Sequence, residues 1–453
     1  MLYRKFYNTL KEWQKQKSKK ALCVIGARQI GKTTLIRHFG QEKYRHFVEL
    51  NFILDKQAQE IFSGSLDAET IITNLTAYTK KPLEAGKTLI FLDEIQACPN
   101  ARTAIKFLVE DGRFDYIESG SLLGVRYNEV PSYPVGFEEI HYMYPMDFEE
   151  YLIANGVQPA TLQYLQDCLE KLAPVSEAVH HTLLRLFFSY IVVGGMPKAV
   201  QTYVDTHDIG RVIAEQTDIL ELYRLDIAQY SHGSDKLKIK AIFDSIPSQL
   251  NDKNRRFILS RIDENGRQNR YQDSFLWLAD AGVALPCYNV TAPQPPLQLN
   301  EKHNLFKLFS SDIGLLCASC MDNVQFPILQ GNLEINLGSI LENAMAQAIK
   351  ANGFNLNYFD SKKYGEIDFV IQNGMQADLL EIKSGKDYKT HAALKKILAV
   401  PDWHFGQALV FCRGNIEQNG GVTYLPWYMI MFYKPRRLPQ STKFEIDLSA
   451  LKL

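Results

Sequence analysis

Two stretches of the chain combine residue types and spacings that could do chemistry. The first is Gly26-Ala27-Arg28-Gln29-Ile30-Gly31-Lys32-Thr33, a complete GxxxxGK[ST] pattern with Thr34 next in line. Glycines at both ends allow consecutive backbone N–H groups to turn inward and cradle phosphate oxygens, and a helix N-terminus behind them adds a positive dipole. Lys32 has the reach for the β- and γ-phosphates of ATP, and the Thr33 hydroxyl is a ligand for Mg²⁺. Arg28 is expected to point into solvent. The second stretch is GEIDFVIQNGMQADLLEIKSG, residues 365–385, where Asp368, Glu381 and Lys383 interrupt two apolar strands.

Each motif demands elements to hold it. The phosphate loop needs a strand before it, supplied by Ala21 to Ile25, and a helix after it, supplied by TTLIRHF. It also needs an acid at the end of a second buried strand. KTLIFLDEIQ carries an apolar run, Leu89 to Leu92, into Asp93 and Glu94, which suits a parallel strand covered on both faces. Asp93 is placed to organise Mg²⁺ and Glu94 to polarise the attacking water. FVELNF and FDYIESGSLLG read as further strands. In AAA-type ATPases the strand beside the acid-bearing one ends in a polar residue that senses the γ-phosphate. Ser119 and Ser121 are both candidates. Arg102, Arg113 and Arg126 are candidates for an arginine finger, with an ordinary surface role as the preferred reading of each.

In the second stretch, a turn at Asn373-Gly374 predicts a tight hairpin. A two-residue loop sets Asp368 opposite Leu379, and a four-residue loop sets it opposite Glu381. Either register puts both carboxylates on one face, because side chains alternate with period two. Lys383 shares that face. Ile367, Phe369, Ile371, Leu380 and Ile382 are expected on the other, buried face. Asp368 and Glu381, with the Ile382 carbonyl, could ligate Mg²⁺, and Lys383 could orient a water or stabilise phosphate charge. Asp368 followed thirteen positions later by Glu-x-Lys resembles the PD-(D/E)xK nuclease superfamily, with Ile367-Asp368 in place of Pro-Asp. That superfamily often adds a glutamate from its first helix, and Glu342 in GSILENAMAQAIKANGF takes that place as a further metal ligand. The expected order is a helix at 338–351, a strand near 355–359, the hairpin, a helix at 388–399 and the strand GQALVFCRG. Lys386, Lys389, Lys395 and Lys396 read as a solvated face that could also meet phosphates.

Length and composition bound the rest. The chain has 453 residues, 46% hydrophobic and 22% charged, with a net charge of −1. These values suit a multidomain globular protein and carry no overall nucleic-acid signature. The start of the chain reads as an amphipathic helix through Leu2, Phe6, Leu10 and Trp13 and lacks the apolar core of a signal peptide. LLRLFFSYIVVGGM is shorter than the roughly 20 residues of a membrane span and reads as a buried helix ending at Gly194-Gly195. Seven cysteines argue against a secreted disulfide framework, so the expected compartment is the cytoplasm. Cys317 and Cys320 form a lone CxxC, read as core packing. His180-His181 lacks the other ligands of a metal site.

The α/β reading divides the chain into a P-loop ATPase domain at 1–145, a helical region at 146–230, a winged-helix-like module at 231–300 and a nuclease-like α/β domain at 301–453. FDSIPSQLND is not basic, so the third unit is read as a packing module rather than a DNA reader. Taken together, GARQIGKTTL, TLIFLDEIQ, YPMDFEEYL, VGGMPKAV, IPSQL, WLADAG, FKLFSSDIGLL, GSILENAMAQAI, GEIDFVI and EIKSG resemble, in that order, the prokaryotic AAA-type P-loop ATPases with a C-terminal restriction-endonuclease-like domain of unknown function. The resemblance spans essentially the whole chain. It implies ATP binding and hydrolysis with Mg²⁺ and allows a homo-oligomer whose sites are completed by neighbours. Many relatives carry Gly-Arg before a Pro-x-x-Phe-Glu-Glu segment where this chain reads PVGFEEIHYMYPMDFEEYL, so no arginine role transfers there. Two functions compete. One couples ATP turnover to Mg²⁺-dependent cleavage of nucleic acid, DNA ahead of RNA. The other is a nucleotide-controlled switch whose C-terminal fold only binds a partner protein or nucleic acid.

Overall fold

A computed structural model describes residues 1–16, 20–80, 83–120, 134–230, 235–251, 256–320, 325–331, 337–436 and 445–447. Five strands, β1 (Ala21–Ile25), β2 (His46–Asn51), β3 (Thr88–Asp93), β4 (Asp115–Gly120) and β5 (Glu138–Tyr142), form a parallel sheet in the order β2-β3-β4-β1-β5. Strands β1 and β3 are buried along their whole length, as their continuous apolar runs predict. Leu22, Val24, Leu89, Phe91 and Ile117 face one core, and Ala21, Ile90, Leu92 and Tyr116 face a second, under the helix Pro99–Asp111. The N-terminal helix, Phe6–Gln14, packs Leu10 and Trp13 into the first core.

The middle of the chain is helical: Phe148–Ala154, Pro159–Glu170, Glu177–Val193, Pro197–Thr206 and Ile209–Tyr230. YPMDFEEYL encodes a capping box. The Asp147 carboxylate accepts from the Glu150 N–H at 2.9 Å, and Glu150 accepts from the Asp147 N–H at 3.1 Å. VGGMPKAV ends the apolar helix with Gly194 at φ 73°. The next N–H, of Gly195, donates to the buried Asp312 carboxylate at 2.6 Å. Pro197 then opens the following helix, where its missing N–H costs nothing. Three separated motifs therefore meet at one point.

Helices Asp235–Leu250 and Gln272–Asp280 precede the antiparallel pair β6 (Ala284–Val290) and β7 (Glu301–Ser310). The boundary expected at position 300 falls between these paired strands. They continue into a four-stranded sheet, β7-β6-β8-β9, with β8 (Asn357–Ser361) and β9 (Gly365–Ile367). The last sheet runs β10-β11-β12-β14-β13, from β10 (Phe369–Asn373), β11 (Gln376–Ile382), β12 (Phe405–Cys412), β13 (Glu417–Asn419) and β14 (Val422–Pro426). The helix Gly338–Ala351 occupies its predicted span, and Ala392–Leu398 forms the core of the helix expected at 388–399. Cys317 is buried and Cys320 exposed on the helix Ile313–Cys320. Both ring nitrogens of His180 are engaged, by the Tyr428 hydroxyl and the Arg413 carbonyl. Among the described residues no helix is long and apolar enough to cross a membrane.

Gly195 tests the three-way junction. A Cβ there would lie 2.1 Å from the Met146 carbonyl oxygen, which is backbone and cannot swing aside. Gly195→Ala is expected to lower unfolding stability by at least about 1–3 kcal/mol. Gly385→Ala, in open space, is expected to be close to neutral in the same urea titration.

Candidate functional site

Strand β1 delivers the chain to Gly26 at φ 153°, where a Cβ would lie 2.2 Å from the Met143 carbonyl oxygen. Gln29 (φ 63°) and Gly31 (φ 89°) then turn the backbone into the helix Lys32–Lys43. A left-handed conformation at a side-chain-bearing residue such as Gln29 costs about 1–3 kcal/mol and persists where surroundings impose it. Arg4 contributes: its guanidinium donates to the carbonyls of Ile30 and Tyr144, each at 2.6 Å, and pairs with Glu150 at 3.3 Å. Ala27 and Ile30 are buried, and Thr34 is exposed.

Lys32 donates from Nζ to the carbonyls of Gly26 (2.9 Å) and Ala27 (2.7 Å). Burial lowers its pKa to about 8, against the opposing pull of Glu94 and Asp93. The buried Asp93 carboxylate accepts from Thr33 Oγ1 at 3.2 Å, Asn51 Nδ2 at 2.9 Å and the Ser119 hydroxyl. Strand register explains the meeting, since Asn51 pairs with Asp93 across β2 and β3, and Asp93 with Ser119 across β3 and β4. Desolvation nonetheless raises the Asp93 pKa. Glu94 stands at φ 56° and accepts from Gln96 Nε2 at 2.5 Å.

Lys32, Thr33 and Glu94 border a cleft of about 630 Å³, lined also by Arg4, Gln29 and Lys198 among others, within the range of small-molecule sites. The donor set fits Mg²⁺, since Thr33 and Asp93 supply hard oxygen ligands. A glycine-bounded loop with a lysine behind it fits a polyphosphate.

Several expectations need correction. Arg28 is not solvated. It pairs with Asp226 of the helix Ile209–Tyr230 at 2.6 Å, and the Tyr223 hydroxyl of that helix donates to the Arg28 carbonyl. Arg102 is buried against Glu138, and Arg113 is tied to Asp111 and Glu69. Ser121 and Arg126 lie outside the described residues. No local signal marked Arg4 or Asp226, because each acts on the loop through the fold.

At the C-terminal end, Phe369 pairs with Leu380 and Asn373 with Gln376. This continues the register that sets Asp368 against Glu381, but the turn is at Gly374-Met375 rather than Asn373-Gly374. The expected alternation also breaks. β9 ends at Ile367 and β10 begins at Phe369, with a bend at Asp368 between them. Ile367 therefore joins one core while Phe369 and Ile371 join the other. Asp368 accepts from the Ile382 N–H at 2.7 Å, and Glu381 lies 3.2 Å from the Lys383 ammonium. Burial, then the Asp368 charge, pushes Glu381 up to about 8.

Glu342 departs from expectation. It is fully buried, 3.5 Å from the equally buried Lys307 ammonium, which lies 2.6 Å from Glu366. The ligand atoms of Glu342, Asp368 and Glu381 do not gather within 4.8 Å as a set among the described residues. Sequence reading missed Lys307, which is far from the motif in the chain, and passed over Glu366, which lies two positions before Asp368. Lys389 pairs with Glu417 at 2.8 Å, while Lys395 and Lys396 are exposed.

Residues 18–152 match the AAA domain family, residues 184–325 a domain of unknown function (DUF8612) and residues 337–430 a domain of unknown function (DUF4143). A search of curated proteins returned no match. Solved structures with similarity include the Walker-type ATPase PABY2304 of Pyrococcus abyssi, at 14% identity over 71% of this chain and 96% of that one, with a TM-score of 0.40. PCH-2 of C. elegans matches at 13% identity, 46% and 65% coverage and a TM-score of 0.28. The Orc1 protein of Aeropyrum pernix, solved in complex with DNA, matches at 12%, 73% and 94%, and 0.28. The N-terminal region is an AAA-type P-loop ATPase domain.

Glu381 gives a pH-dependent expectation. Its folded-state pKa is raised, so the folded protein holds a proton that the unfolded chain has released between about pH 4.5 and 8. Its stabilising contribution is complete below that window and is lost as pH rises through it. Glu381→Gln should raise the urea midpoint at pH 8.5 and leave it nearly unchanged at pH 4.5.

Proposed function

We propose that the chain is a Mg²⁺-dependent ATPase whose catalytic set is Lys32, Thr33, Asp93, Glu94 and Ser119. The observation that carries this reading is the convergence of Thr33, Asn51 and Ser119 on the buried Asp93 beside the lysine-bearing loop. ATP binding would draw Lys32 off the carbonyls of Gly26 and Ala27 onto phosphate oxygens. Gly26, Ala27, Arg28, Gln29, Ile30, Gly31 and Thr34 complete the cradle. Bound Mg²⁺ would supply positive charge against the charge that develops on the phosphate during transfer. Thr33 and Asp93 would hold it, Glu94 would orient the attacking water, and Ser119 would report on the γ-phosphate side of Asp93.

The C-terminal domain is read as a platform controlled by the nucleotide state, with partner protein or nucleic acid as its ligand. The Lys307 ammonium between Glu342 and Glu366 supports this reading, because a resident cation neutralises the glutamate that a metal site would need. A second reading, Mg²⁺-dependent cleavage of DNA or RNA, is favoured by Asp368, Glu381 and Lys383 sharing one end of the hairpin. A homo-oligomer is part of the proposal, since the resemblance to AAA-type ATPases allows a neighbour to complete the site and, among the described residues, the candidates Arg102 and Arg113 are held by acids of the same chain.

Lys32→Ala is expected to abolish ATP binding by calorimetry. Glu94→Gln is expected to retain binding and lose about 10²–10⁴-fold in phosphate release. Turnover surviving Lys32→Ala would defeat the ATPase assignment. On the platform reading, purified protein cleaves neither single- nor double-stranded DNA or RNA in Mg²⁺. Cleavage that disappears in Glu381→Ala and Lys383→Ala would establish the nuclease reading instead.

A further inference from the structure

Side chains alternate along β4, so Ser119 faces Asp93 and Glu118 faces the opposite side of the sheet. There, register sets Glu118 directly beside Cys23 of β1. Glu138 of β5 lies opposite Ala21, two positions along the strand from Cys23 and on the same face. The Cys23 sulfur and one oxygen each from Glu118 and Glu138 all lie within 4.8 Å of one another. Cys23 and Glu118 are fully buried, and the Glu138 side chain is 8% exposed. The Pro99–Asp111 helix covers the face, and its Arg102 pairs with one Glu138 oxygen at 2.8 Å.

A fully buried carboxylate normally has hydrogen-bond partners, because burying an ion without them costs several kcal/mol. Among the described residues, neither oxygen of Glu118 has one, and the second oxygen of Glu138 also lacks one. Arg102 supplies a single positive charge against three potential anions. Thiolate and two carboxylates with one guanidinium leave two negative charges, which one divalent cation would neutralise.

We propose that Cys23, Glu118 and Glu138 form a structural site for a divalent transition-metal cation of the zinc class, on the sheet face opposite the nucleotide. A soft thiolate with two carboxylates suits Zn²⁺ or Co²⁺ and discriminates against Mg²⁺ and Ca²⁺, which prefer all-oxygen shells. Zinc bonds of about 2.3 Å to sulfur and about 2.0–2.2 Å to oxygen require the three side chains to draw inward. A water would complete four-coordination. The cation would cross-link β4, β1 and β5, the strands that end beside the phosphate loop. Burial beneath a helix means that it enters as the domain folds. The alternative occupant is a proton on Glu118, whose pKa burial pushes up to about 8.

The test uses the full chain produced in medium supplemented with Zn²⁺ or, separately, Co²⁺, and dialysed against a weak chelator without nucleotide. About one metal equivalent per chain is expected by elemental analysis. The cobalt form should show thiolate-to-metal charge-transfer absorption in the near ultraviolet. Cys23→Ser should abolish that band, Glu118→Gln should cut retained metal more than tenfold, and Cys320→Ser, at an exposed thiol, should change neither. Wild-type protein lacking both metal and band would overturn the proposal and leave the proton as occupant. A band that persists in Cys23→Ser would also overturn it, by locating the metal elsewhere. Because the wild-type measurement decides alone, a variant that fails to fold does not protect the proposal.

Discussion

Asp93 ends β3 with its carboxylate buried, and hydrogen bonds reach it from Thr33, Asn51 and Ser119 on three neighbouring elements. Each charge-assisted bond of this kind contributes about 1.5–3 kcal/mol. Together they offset part of the desolvation, which still raises the Asp93 pKa and favours its neutral form. Because the bonds come from β2, β4 and the helix behind the phosphate loop, the acid fixes the relative position of the strand ends and the loop. A divalent ion beside Thr33 would replace the hydroxyl donor with a full charge and favour the ionised acid.

The loop is also held from outside its own domain. Arg28 reaches Asp226, the Tyr223 hydroxyl reaches the Arg28 carbonyl, and Gly282 at φ 71° approaches so closely that a Cβ would lie 3.0 Å from the Ala27 nitrogen. Arg4 ties the far side of the loop to Tyr144 and Glu150. Side chains from the N-terminal sheet, the helices at 177–230 and the Gly338–Ala351 helix share one continuous core. A shift of the loop on filling therefore meets packed protein in several directions, and packed interfaces respond by rearranging between discrete states rather than by deforming. On the proposed switch, that packing would carry a nucleotide-dependent shift of the loop to the C-terminal hairpin.

What was legible in the sequence was local. The phosphate loop is spelled by contiguous residues with a strand before and a helix after. The Gly338–Ala351 helix announces itself by apolar spacing. The acid at Asp93 follows from an apolar run that ends abruptly. What escaped was made by contacts between distant positions. Arg28 and Asp226 are 198 residues apart, and nothing near either one marks the partnership. Lys307 sits in the apolar half of β7 and becomes intelligible only beside Glu342 and Glu366. The hairpin failed in a third way. Asn-Gly is a strong turn signal, but pairing extended through Asn373, whose side-chain Nδ2 donates to Asp378 and whose Oδ1 accepts from the Arg436 N–H. Tertiary bonds outweighed local turn preference.

Amide hydrogen exchange across residues 26–33, with and without Mg²⁺ and a non-hydrolysable ATP analogue, bears most directly on the role assigned to Asp93 and the loop beside it. The account expects the N–H groups from Gln29 to Thr33 to exchange markedly more slowly only when nucleotide and Mg²⁺ are both present, with Asp93→Asn losing the dependence on the ion. Protection that is unchanged by nucleotide, or equal with and without Mg²⁺ in the unmodified chain, would contradict it.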